Sequence, residues 1–224
     1  MQQKLQDALQ TIIKREIAAA KKREEEEKKK KLQEQQTKNN TTNSTNNNST
    51  NTKSAIDKDA PVGGAVTTSS STRNYNVLES TTEEANVSIN FENSKGRLPW
   101  PVDKAYVSIH FGPYTIPGTK LTGDQKGIEI TLPVGSNVKA VADGVVSTVF
   151  DLGGNGQTVV VRHGKYFTTY SNISDVTVTK GSEVHAGKIL GKAVAGSSGD
   201  GQIIFMVNND KGTFLNPESW LKAK

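Results

Sequence analysis

The stretch NNTTNSTNNNSTNTKS, residues 39–54, constrains this chain more than any other feature. It contains almost nothing that could be buried, so it cannot offset the entropy of ordering its own backbone. With its neighbours out to SSSTRN it reads as a flexible linker over residues 37–72. A hydrophobic core cannot run through such a segment. The chain must therefore be organised as two pieces of different character.

The first piece, residues 1–36, reads as a helix without Gly or Pro. Leu5, Leu9, Ile12 and Ala19 follow a three-to-four spacing, with Ala8, Ile13, Ile17 and Ala20 alongside. Glu24–Glu27 precede Lys28–Lys31, the favourable order for pairs four apart. The strip is narrow and fades after Ala20, which predicts the end of a coiled coil; a lone helical arm is the alternative. The net charge is +5, with +3 on residues 1–36 and +1 on residues 73–224. No aromatic residue is interleaved with the basic ones, so no base-stacking platform exists and no nucleic-acid partner is expected.

The second piece begins with STTEEANVSINFENSKG, a short helix over residues 73–96 capped by Thr81 or Thr82 and ended by Gly96. Residues 97–224 then switch to short β runs: GIEITLP, SNVKAVADGVVSTVFDL, TVVVRHG, YFTTYSNI, EVHAGKILGKAV and QIIFMVN. Turn residues separate them at close spacing, which predicts a mainly β domain, an antiparallel sandwich or small barrel. LNPESWL supplies a terminal turn and short helical end. The absence of Cys excludes disulfides and thiolate metal sites, and three His set a tight limit on zinc chemistry. The residues predict no membrane-spanning run and no signal peptide at Met1. That leaves open a cytoplasmic protein or one whose leader has been removed.

Several phrases stand in a distinctive order: HFG, KGIEI, LPVGSNVKAVADGVV, GQTVVVRHGKYFTTYSNI, VTKGSEVHAGKILGKA and GQIIFMV. This order, over roughly residues 97–220, resembles the LytM-type (lysostaphin-like) zinc endopeptidase domain. The resemblance implies a cutter of peptidoglycan cross-links. A His and an Asp in H-x-x-x-D, with the second His of H-x-H, would hold zinc and leave one position for water. Other histidines would assist catalysis, one of them shortly after T-x-Y.

The sequence departs from that pattern at every such position. H-x-x-x-D aligns with Gln125 and Glu129, the later His with Asn172, and H-x-H with Gln202 and Ile204. Ile cannot bind a metal, Gln is a poor ligand for zinc, and an amide cannot shuttle protons as imidazole does. The expectation is no cofactor and no catalysis. His163 is expected to be structural, His110 to lie on the FG loop at the rim in a structural or solvent-facing role, and His185 to lie on a segment facing away from the groove with no metal role.

A helical arm, a linker and a degenerate LytM domain together resemble the EnvC-type murein hydrolase activators, with a Bacteroidetes-like flavour in FENSKGRLPWPV and LNPESWL. The resemblance implies a periplasmic protein that binds a zinc N-acetylmuramoyl-L-alanine amidase and relieves its autoinhibition. It further implies a link through the coiled coil to an ABC-transporter-like division complex, and an arm able to mask the binding groove. In this reading Tyr170, Asn172, Gln202 and Ile204 form the cleft floor. Gln125, Lys126 and Glu129 form a wall, with Tyr114 on a rim loop. Two alternatives remain open here: a module that binds peptidoglycan in the old cleft, and a divergent metallopeptidase using Glu129 and His163.

Overall fold

The computed structural model describes residues 2–41, 76–115, 120, 122–151, 153 and 156–223. Helix α1 spans Gln2–Thr41 and helix α2 Thr82–Asn93. The strands are β1 Tyr106–Ile109, β2 Gly112–Thr115, β3 Thr122–Gln125, β4 Ile128–Leu132, β5 Asn137–Lys139 and β6 Gly144–Asp151. They continue with β7 Gln157–His163, β8 Tyr166–Ser174, β9 Glu183–Val184, β10 Ile189–Ala193, β11 Gly201–Asn209 and β12 Phe214–Leu215. Ten of these strands form one sheet, whose main path runs β1-β4-β11-β8-β7-β6-β9. Strands β2 and β3 form a separate hairpin. All strand pairs are antiparallel, as the short β runs predict. Strands β1, β2 and β3 had no clear alternating signal in the sequence.

The central strands are apolar on both sides. Ile203, Phe205 and Val207 of β11 face a main core with Ile128, Ile130 and Leu132 of β4, Val159 and Val161 of β7, and Tyr170 of β8. The intervening Ile204 and Met206 face the other way, with Val160 and Phe167. Strand geometry sends alternate side chains to opposite faces, so one sheet carries two apolar surfaces. Each surface needs a cover.

Helix α2 packs against the main core. Thr81 caps it by accepting a hydrogen bond from the Glu84 backbone N–H at 3.1 Å, and Gly96 follows it with φ +76°. Phe91 stacks on His163 with ring centroids 4.6 Å apart and also meets Tyr166 and Trp220. Arg162 Nη2 reaches Glu84 Oε1 at 2.9 Å, which ties the helix to β7.

The outer surface is covered by the N-terminal part of α1. The chain divides into two compact units: Met1–Lys21 with Asn76–Lys224, and Lys22–Tyr75. Within the first, Leu5, Leu9, Ile13 and Ala20 are buried in one cluster with Val160, Phe167 and Met206. Burying each of the larger side chains stabilises by roughly 1.5–3 kcal/mol relative to exposure. The strip read as a coiled-coil seam therefore lies against the sheet. In the second unit α1 continues with Glu24 and Lys28 ion-paired four residues apart. It runs to Thr41, past the residue-36 boundary the sequence suggested; the rest of the linker, 42–72, lies outside the described residues. Among the described residues no helix is long and apolar enough to cross a membrane.

His163 is fully buried. Its Nδ1 lies 2.5 Å from the Asp143 carbonyl oxygen and its Nε2 2.8 Å from Thr168 Oγ1. Burial strips water from the charged form and lowers its pKa from 6.5 to about 4, against the opposing pull of Asp143. The folded chain thus keeps His163 neutral where the unfolded chain protonates it. This contribution is complete above pH 6.5 and is lost as pH falls toward 4, a loss of about 3 kcal/mol. Urea unfolding at pH 7, 5.5 and 4 should show it. Wild type is expected to lose about 3 kcal/mol more than His163→Gln over that range, and equal losses would contradict the assignment.

Candidate functional site

The outer face of the sheet brings together three of the residues singled out from the sequence, Glu129, Gln202 and Ile204. Glu129 of β4 stands directly opposite Ile204 of β11, and Ile204 is also opposite Ser171 of β8. Gln202 follows two residues along the same face of β11, opposite Thr131. Glu129 Oε1 accepts a hydrogen bond from Ser108 Oγ at 2.9 Å, so its carboxylate is held by a hydroxyl of β1. Gln202 is overlain by the loop before β11: a Cβ at Gly196 would come within 2.4 Å of Gln202 Oε1. That glycine is needed for the close approach.

Asn172 sits at a break in β8. Gln157 pairs with Ile173 but Val159 pairs with Tyr170, so β8 carries one extra residue there. Asn172 absorbs the bulge with φ +65°, a conformation Asn tolerates better than most residues. Thr158 Oγ1 donates to Ser171 Oγ at 3.0 Å beside it.

The bulge corrects one expectation. Simple alternation would put Tyr170 and Asn172 on the same face. The extra residue reverses the parity, and Tyr170 points into the main core, fully buried against Phe205. Its hydroxyl accepts from the Val141 backbone N–H at 3.0 Å, and burial raises its pKa to about 12. Tyr170 is a core residue and not part of the cleft floor.

Gln125, Lys126 and Tyr114 belong to the β2–β3 hairpin and its exit. Gln125 is fully buried at the end of β3. Lys126 Nζ lies 2.5 Å from Asp124 Oδ2, so the hairpin neutralises its own charge locally. The Tyr114 ring lies over Gly123, where a Cβ would come within 2.5 Å of it. His110 and His185 are exposed beside Glu218 and Asp143, at 3.0 and 3.6 Å.

This donor set does not fit zinc. The three residues expected from the sequence at the LytM metal positions, Gln125, Glu129 and Ile204, supply a buried amide, a carboxylate engaged by Ser108, and a hydrocarbon. Tetrahedral zinc with an open position needs three N, S or O ligands of adequate basicity. Among the described residues no group of three or more His, Cys, Asp or Glu is placed to hold a metal.

Sequence reasoning missed the floor beyond Ile204. Met206, Thr169, Phe167 and Val160 continue the same face and lie beneath α1. The signal was available in the period-two pattern of QIIFMVNN, where residues 202, 204, 206 and 208 share a side.

Residues 123–217 match the family model for Peptidase family M23. The matched residues fall within the β domain, from β3 to the turn after β12. The chain is 35% identical over 136 residues to an uncharacterized protein of Neisseria meningitidis serogroup B, covering 59% of this chain and 21% of that one. It is 33% identical over 103 residues to the peptidoglycan DD-endopeptidase ShyA of Vibrio cholerae, covering 45% and 24%. It is 35% identical over 133 residues to the murein hydrolase activator EnvC of Escherichia coli, covering 57% and 29%. The chain thus spans less than a third of the length of each of these relatives.

The bulge at Asn172 yields a stability test. Asn172→Gly should leave stability nearly unchanged, because Gly adopts positive φ freely. Asn172→Val should lose roughly 1–2 kcal/mol from the same backbone conformation. Urea melts of both variants check this; equal stability of the Val variant would mean that the bulge is not maintained.

Proposed function

We propose that this M23/LytM domain is a non-catalytic regulator of cell-wall hydrolysis that activates a zinc N-acetylmuramoyl-L-alanine amidase. The observation that carries the reading is the outer face of the sheet. Where a zinc endopeptidase needs metal ligands, it presents Ile204 and a Glu129 already hydrogen-bonded to Ser108. That position runs directly into the apolar floor of Met206, Phe167 and Val160. Such a surface suits capture of a protein segment and not bond cleavage. The similarity to the EnvC activator of Escherichia coli supports the same role.

Helix α1 supplies the regulation. It occupies the apolar floor up to Ile204, so a partner must displace it. In this reading the protein works outside the cytoplasmic membrane during division, and the helical arm receives the releasing signal from an ABC-transporter-like complex. The partly exposed residues of the wall and rim, Lys126, Glu129 and Tyr114, border the partner, with Gln125 buried behind them and Asn172 and Gln202 at its polar end.

The similarity to the DD-endopeptidase ShyA favours a second reading, direct peptide cleavage. Dye release from labelled peptidoglycan separates the two. This protein with zinc, an amidase from the same organism, and their mixture would be compared. Release only in the mixture is expected; release by this protein alone would establish the endopeptidase. Saturable binding to purified sacculi without stimulation would instead favour a wall-binding module. Leu9→Glu, which places a charge in the buried strip of α1, is expected to raise stimulation by about tenfold, the equivalent of about 1.4 kcal/mol of lost masking. Unchanged stimulation by a folded Leu9→Glu chain would remove α1 from the account.

A further inference from the structure

The floor beneath α1 is not wholly apolar. Thr169 of β8 is fully buried, and Asn208 of β11 is 1% exposed. Thr169 stands directly opposite Met206 on β11 and Val160 on β7. Asn208 stands opposite Phe167 on β8 and Phe214 on β12. These four neighbours all belong to the cluster that α1 closes. Yet Thr169 Oγ1 and both polar atoms of the Asn208 side chain make no hydrogen bond among the described residues. The buried strip that α1 brings to this floor, Leu5, Leu9, Ile13 and Ala20, is wholly aliphatic and has nothing to offer them.

Buried polar groups are nearly always paired, and leaving one unpaired forfeits the hydrogen bond it made with water. A cover chemically matched to this floor would bring a polar side chain to them, or the sheet would carry hydrocarbon there. Neither has happened. The shape of the floor fits α1 while its chemistry does not.

We infer that Thr169 and Asn208 are the recognition points by which the outer face prefers its partner to α1. This rests on the activator reading above. The occupant they select is an amphipathic helix of the partner protein. It has the size of the first turns of α1 and carries an uncharged polar side chain, Asn or Gln opposite Asn208 and a hydroxyl or amide opposite Thr169. A side-chain amide both donates and accepts, so one amide can satisfy both ends of Asn208. The unmet groups weaken the grip of α1 and strengthen that of the partner. The same two residues therefore bias both sides of the exchange, which is specificity by mismatch.

The test uses the full chain with Thr169→Val and Asn208→Leu, separately and together. Val is close in shape to Thr, so that variant remains informative if Asn208→Leu folds poorly. Hydrogen exchange is read first, with no amidase present. Removing the unmet polar atoms is expected to raise protection of α1 amides over residues 5–20 by about tenfold per substitution. Unchanged or lowered protection in a folded Thr169→Val chain would overturn the inference. Stimulation of the amidase is read second, in a Leu9→Glu background where α1 no longer competes. There each substitution is expected to reduce stimulation about tenfold, because the partner loses its hydrogen bonds. Full stimulation in that background would overturn the recognition role even if α1 were better protected. If the parent chain stimulates no amidase, the activator reading fails, and the recognition role fails with it. The exchange data would then still decide whether these groups weaken the α1 contact.

Discussion

The structure depends on a sheet whose central strands are apolar on both faces. Alternation along β7, β8 and β11 leaves no polar side to turn to water. Val159 and Val161 point one way and Val160 the other; Phe205 and Val207 oppose Met206. A surface of this kind in water invites association with another chain. The chain resolves the problem twice. Helix α2 and the short strands close the inner face around Phe91, His163 and Tyr170, and α1 closes the outer one.

The two closures differ in quality. On the inner side His163 bridges Asp143 and Thr168, Tyr170 meets Val141 and Thr168, and Arg162 meets Glu84, while Ser88 Oγ of α2 makes no hydrogen bond among the described residues. On the outer side aliphatic side chains of α1 sit over Thr169 and Asn208 without serving them. The inner cover behaves as part of the fold. The outer one has the character of an occupant, held by shape and apolar area, and local opening at such a contact requires less free energy than global unfolding. This contrast connects the packing to the proposed regulatory reading, in which the outer face becomes useful when its cover can leave.

Much of this was legible in the sequence. The capped helix at Thr81 and the antiparallel β runs follow from residue type and spacing. Two features were not. The apolar strip of α1 has the spacing of a coiled-coil seam, and periodicity alone cannot say whether its partner is a helix or a sheet. Tyr170 was misplaced because a bulge at Asn172 inverts the parity of β8, and a single extra residue leaves no mark in an alternating pattern. Both failures concern pairings between distant segments, which local propensity does not encode.

In the proposed activator role the outer face acts only when α1 leaves it. Because the chain contains no cysteine, a single engineered pair can be introduced cleanly. Cysteines replacing Leu9 and Met206, two members of the same buried cluster, would tether α1 to the sheet when oxidised. Amidase stimulation by this variant should then be measured before and after reduction. Stimulation is expected to be absent in the oxidised protein and restored by the reductant. Equal stimulation in both states, with the disulfide verified, would contradict it.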